Sequence, residues 1–126
     1  MKNLLLIFSL SLAITAIDAQ TIRVATYNIR FDNPGDSLDL WKNRYPYVAD
    51  LIRLYDFDLF GTQEGLKHQL EDLKIMLKEY EYIGVGRDDG KEKGEHTAIF
   101  YKTAKFKLLA SGNFWLSQVT DKPNKG

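Results

Sequence analysis

The stretch Phe57-Asp58-Leu59-Phe60-Gly61-Thr62-Gln63-Glu64 decides how this chain reads. A short apolar run ends in an amide and a carboxylate, and a new helical pattern opens at once. A mostly apolar run of this length reads as a strand buried on both faces of a sheet. The carboxylate at its end then stands where the chain leaves the core, on the rim where α/β proteins bind ligands. Glu64 is therefore read as a metal ligand, because Mg²⁺ takes hard oxygen donors and often only one or two carboxylates.

The residues before this stretch supply its partner. From Thr21 to Ile29 the side chains alternate, with Ile22, Val24, Thr26 and Asn28 on one side and Arg23, Ala25, Tyr27 and Ile29 on the other. That is a strand ending near Asn28. Turn chemistry from Phe31 to Leu40 marks a loop. Trp41, Tyr45, Val48, Ile52 and Tyr55 then form a helical stripe, with Asp39 as candidate N-cap. Pro46, tolerated only in a first turn, places the regular helix at about 44–54. Strand, helix and strand make a βαβ unit, whose strands are parallel with a right-handed crossover. Parallel pairing brings Asn28 and Glu64 to one end of the sheet. There Asn28 can hydrogen-bond a phosphate oxygen or complete a metal shell. The plain alternative is a capping amide and a solvated glutamate opening a helix.

Downstream, 66–79 reads as a second helix with Leu66, Leu70, Leu73 and Leu77 on one face. Residues 80–85 form a strand, 86–95 a flexible, charged, glycine-bearing loop, and 96–101 a strand. A turn at 102–105 leads to a last strand over 106–116, expected to form a hairpin with the one before it. The order is β-α-β-α-β-β-β in a mixed sheet, an α/β (α+β) fold. Arg87, in the loop, offers the rigid donor fork that grips phosphate. Glu95 can orient a histidine ring as a supporting carboxylate. His96 reads as an exposed strand-start residue, His68 has no role, and Phe114, Trp115 and Leu116 read as core or hairpin packing.

Composition bounds the function. The chain has 126 residues, enough for one domain, and its 17 basic residues balance 17 acidic ones. A nucleic-acid binder held by phosphate contacts shows a basic surplus, so a small-molecule or lipid-like phosphoester is favoured over duplex DNA. There is no cysteine, which removes disulfides, thiolate catalysis and cysteine zinc sites. Lys2 followed by the apolar run Leu4–Ala16 reads as a signal peptide over 1–19, with Gln20 opening the mature chain. That run is short against the ~20 residues of a membrane span, so no stable membrane insertion is expected. Export without cysteine points to a bacterial periplasmic or secreted protein.

Four segments together resemble the N-terminal half of the endonuclease/exonuclease/phosphatase superfamily, the fold of pancreatic deoxyribonuclease. They are TYNIR (26–30), DLFGTQE (58–64), GRDDG (86–90) with GEHTAIFY (94–101), and SGNFWLS (111–117). FWLS is most similar to a secreted bacterial subgroup. The resemblance implies a layered sandwich of two mixed sheets flanked by helices, here an incomplete portion over 20–126. It implies Glu64 as the Mg²⁺ (or Mn²⁺) ligand and Asn28 beside metal and phosphate. It implies Arg87 near substrate, and Glu95 steadying a catalytic histidine that this chain lacks. The family's Asn-x-His, Gly-Asp-x-Asn and terminal Asp-His segments do not occur in the sequence. The expectation is part of an exported, metal-dependent phosphodiester or phosphomonoester hydrolase, inactive or nearly so as these 126 residues alone, with an apolar sheet face left open. The alternative is a non-catalytic exported binding or interaction module on the same scaffold. Oligomeric state is not legible in the sequence.

Overall fold

The computed structural model describes residues 21–124, so the signal-peptide reading over 1–19 lies outside the described residues. Four strands, β1 (Val24–Asn28), β2 (Leu59–Gly65), β3 (Tyr80–Ile83) and β4 (His96–Lys102), form one mixed sheet in the order β1-β2-β4-β3. β1 and β2 are parallel, with Asn28 opposite Gln63. β4 runs antiparallel to both β2 and β3. The βαβ unit and the antiparallel later strands are as the sequence indicates.

Helices α1 (Trp41–Tyr55) and α2 (Lys67–Met76) pack on the same side of the sheet. The side chains they cover follow the two-residue period of each strand: Ile29 at the end of β1, Phe60 and Thr62 on β2, Ala98 and Phe100 on β4. Phe60 is central. It stacks on Phe100 at 4.8 Å between ring centroids and meets Tyr80 edge-on at 5.4 Å. Emptying a site of this kind by Phe→Ala costs about 3–5 kcal/mol.

Five sequence expectations need correction. First, β2 is covered on one face only among the described residues; Gly61 and Gln63 remain half-buried and Val24 on β1 is exposed. Second, α1 starts at Trp41 and carries Pro46 inside it. Proline there removes one donor, and the carbonyl left unpaired is that of the exposed Lys42, which water can satisfy. Third, Asp39 does not cap α1. Leu40 occupies the cap position without a side-chain bond, and Asp32 Oδ1 accepts from the Trp41 N–H at 3.4 Å instead.

Fourth, residues 106–116 form no strand. The expected hairpin partner, β4, has β2 on one edge and β3 on the other, so no edge is left for it. The side chains of Phe114 and Leu116 are consequently exposed, not core. Fifth, the charged loop 86–95 folds back on itself. Arg87 N–H donates to Glu95 O at 3.0 Å and Asp88 N–H to Lys93 O at 3.1 Å, while Asp89 Oδ1 accepts the Lys91 and Lys93 N–H groups at 2.8 and 3.0 Å.

Candidate functional site

Asn28 and Glu64 meet. Asn28 Nδ2 donates to Glu64 Oε1 at 2.7 Å across 36 positions of sequence. The amide orientation of Asn28 is fixed at its other end, because Oδ1 accepts the Arg30 N–H at 2.9 Å and only an oxygen can do so. Asn28 thus turns its donor to the carboxylate and holds it in place. Gln63 adds a second tie between the strands, its Nε2 donating to Thr26 Oγ1 at 3.0 Å.

The local backbone explains why Glu64 reaches this position. Thr62 pairs with Ala98 and Gly65 with His96, so Gln63 and Glu64 stand opposite Thr97 alone. This is a β-bulge, which re-aims a side chain at the end of a strand. Glu64 takes φ 63°, and Arg30, just past Asn28, takes φ 57°. A non-glycine residue in that left-handed region costs about 1 kcal/mol or more, and such strain collects at functional sites. The next residue, Gly65, leaves little room for a side chain: a Cβ there would lie 2.8 Å from Leu70 Cδ2 and 3.1 Å from Ile29 Cδ1, and one of them would have to shift.

Asn28 and Glu64 line a cleft of about 380 Å³ together with Arg87, Glu95, His96, Phe114 and Trp115. The structure therefore gathers every sequence-predicted site residue in one depression. It also pairs two of them: Arg87 Nη1 donates to Glu95 Oε2 at 2.9 Å, and Asp88 Oδ1 lies 3.6 Å from Arg87 Nε. Trp115 Nε1 donates to the Arg87 carbonyl at 2.9 Å and ties the 111–117 segment to the loop.

Two histidines depart from their sequence reading. His96 is buried, not exposed, and its Nδ1 lies 3.1 Å from Gly94 O. A carbonyl only accepts, so Nδ1 carries the proton. His68 Nε2 lies 3.0 Å from Asp32 Oδ2, bridging α2 to the loop after β1. The sequence signal for His96 was its place in the alternation of β4, two residues before the buried Ala98.

Among the described residues no three His, Cys, Asp or Glu side chains are grouped to hold a metal ion. Of the two carboxylates lining the cleft, Glu95 is held by Arg87, which leaves Glu64, hydrogen-bonded through a single oxygen, as the donor free to take a cation. It fits a hard cation such as Mg²⁺ that keeps waters and phosphate in its shell, and it does not fit a closed zinc site. No helix among the described residues is long and apolar enough to cross a membrane.

No family model matches the chain. Solved structures do. A mannosyl-6-phosphatase of Bacteroides thetaiotaomicron VPI-5482 is 55% identical with a TM-score of 0.82, the match covering 84% of this chain and 40% of that one. An endonuclease/exonuclease/phosphatase of Bacteroides vulgatus is 45% identical with a TM-score of 0.81, over 83% of this chain and 40% of that one. An uncharacterized protein of Acanthamoeba polyphaga mimivirus is 32% identical over 117 residues, 79% of this chain and 17% of that protein. The chain spans about two fifths of the length of these solved structures. On shared sequence and shared topology together, the chain is similar to endonuclease/exonuclease/phosphatase family proteins and carries part of their fold.

Proposed function

We propose that this chain supplies the metal-binding carboxylate and part of the phosphate-binding wall of a bacterial, exported, divalent-metal-dependent phosphoesterase. The observation that carries the reading is the 2.7 Å bond from Asn28 to Glu64 at the mouth of the cleft. Glu64 would hold Mg²⁺ or Mn²⁺, with Asn28 orienting the carboxylate. Bound there, the cation supplies charge neutralisation and polarisation of a phosphoryl oxygen. Arg87, steadied by Glu95 and lining the same cleft, would present guanidinium donors to the phosphate.

The substrate class we favour is a small phosphate ester, and within it a sugar phosphomonoester. The neutral charge of the chain and its 55% identity to a mannosyl-6-phosphatase support this over duplex DNA. Export rests on Lys2 and the apolar run Leu4–Ala16. Taken alone, the 126 residues should bind cation and phosphate with little or no turnover, since the family's Asn-x-His, Gly-Asp-x-Asn and Asp-His segments do not occur in them.

The test is a panel of sugar phosphates, phosphodiesters, phospholipids and duplex DNA with Mg²⁺ or Mn²⁺, run on this chain and on a form carrying those segments. Cation-dependent hydrolysis of the sugar phosphate that disappears in Glu64→Gln is the expected result. Turnover unchanged by that substitution would reject the metal assignment. Cation and phosphate binding without turnover in both forms would favour the non-catalytic binding module.

A further inference from the structure

Gln69 is fully buried, a polar side chain at the third position of α2. Its Oε1 accepts two backbone N–H groups, Asp32 at 2.9 Å and Leu66 at 3.0 Å. Its Nε2 donates to the Arg30 carbonyl at 3.0 Å. The bond to Leu66 is ordinary helix capping, a glutamine reaching back to the residue before the first turn. The other two bonds are not. They leave the helix and hold the chain just after β1.

The three partners sit where the site is built. Arg30 and Asp32 follow Asn28, and Leu66 follows Glu64 and Gly65. Both flanking turns contain a non-glycine residue with positive φ, Arg30 at 57° and Glu64 at 63°. Such conformations persist only where their surroundings fix them. The Arg30 residue that gives its carbonyl to Gln69 also gives its N–H to Asn28 Oδ1, and Asn28 Nδ2 continues to Glu64 Oε1. One buried amide therefore joins the exits of two parallel strands. Arg44, on α1, also reaches the Arg30 carbonyl, through Nη2 at 3.2 Å, but nothing else replaces the two N–H bonds that Oε1 accepts.

We propose that Gln69 is a positioning residue for the cleft: it sets the separation of the two strand exits, and thereby the Asn28–Glu64 contact. This rests on Glu64 being the cation ligand only for its effect on metal affinity, not for its effect on geometry. Two readouts therefore separate the two readings. The first is the side-chain amide resonance of Asn28 and the exchange rate of the Arg30 N–H, measured by NMR without metal. The second is Mn²⁺ affinity.

In Gln69→Met the Asn28 amide should shift and the Arg30 N–H should exchange faster, with Mn²⁺ affinity falling by up to about tenfold, the lower end for direct partners of metal ligands, because Gln69 acts on Glu64 only through Arg30 and Asn28. Asp58→Asn, at the far end of β2, serves as a comparator that loses stability without touching the cleft. Its Asn28 resonance and Mn²⁺ affinity should stay at wild-type values. If Gln69→Met does not fold, Gln69→Asn, one methylene too short to reach both N–H groups, decides by the same shift. A wild-type Asn28 resonance in whichever Gln69 variant folds, or an equal shift in Asp58→Asn, overturns the proposal. Altered Asn28 geometry with no Mn²⁺ binding even in wild type keeps Gln69 as positioning residue and rejects the metal reading instead.

Discussion

Strand β2 carries a carboxylate at each rim of the sheet, and the two live in opposite surroundings. Asp58, just before β2, is buried and fully engaged. It accepts the Arg23 N–H at 2.9 Å, Lys105 Nζ lies 2.7 Å away, and Lys102 Nζ lies 3.4 Å away. Hydrogen bonding from Lys105 and from the Arg23 backbone holds its pKa down at about 2, below the usual 3.8. Glu64, at the other rim, has Asn28 as its hydrogen-bond partner and borders open cleft. Charge alone does not make a site. At one rim both carboxylate oxygens are spent on holding the sheet shut. At the other, a strained bulge carries an acid that still has capacity for a ligand.

Several measurements can break or sharpen that contrast. The largest effect should come from Asp58→Asn, which leaves Lys102 and Lys105 facing a neutral group. Breaking a buried ion pair from one side is strongly destabilising, and the melting temperature should fall by on the order of 10 °C. A calorimetric change near zero would mean the closed rim is not structural.

The pH dependence follows from the same group. Its folded pKa lies below its unfolded value, so its contribution is present above about pH 4. That contribution is lost as pH falls from there toward about 2, where the folded carboxylate takes up its proton. Thermal melts over this window should show a steep loss in the wild type and a flatter one in Asp58→Asn.

Next in size is Gly65→Ala, whose methyl group would press on Leu70 and Ile29. Overpacking of this kind costs about 1–3 kcal/mol, read from denaturant titration. The smallest change in stability should follow substitution of Glu64 itself. Glu64→Gln should alter unfolding free energy by less than about 0.5 kcal/mol while reducing Mn²⁺ affinity at least tenfold in calorimetric titration. Glu64→Gly should also stay within about 1 kcal/mol, since relief at positive φ offsets the extra freedom of the unfolded chain. A large stability loss in either variant would make the open rim another structural clamp.

The contrast between the rims was only half legible in the sequence. Asn28 and Glu64 could be brought together because a βαβ unit fixes which strand ends coincide. Nothing more than local periodicity and the crossover rule was needed. The bulge at Gln63 and Glu64 was not legible, since it exists only relative to β4, a partner more than thirty positions away. Burial of His96 and the idleness of 106–116 depend on the same strand. Local pattern identifies β3, β4 and a third apolar run, but it does not say which of them takes the edge of β2. The role of Gln69 was hidden for a similar reason: its partners come from the loop after β1, and glutamine beside histidine on a helix carries no signal of that.

The insertion of β4 between β2 and β3 bears on how the chain assembles. Among the described residues β3 pairs with no strand but β4, so during synthesis it emerges before its partner and must wait for the residues that follow it. The β1–α1–β2 unit has all its own pairing partners once β2 has emerged, whereas β3 gains its partner only with β4. A nascent chain from which Ile83 has emerged while His96 is still inside the ribosome therefore shows an open β2 edge, the moment at which it is most open to sticking to its neighbours.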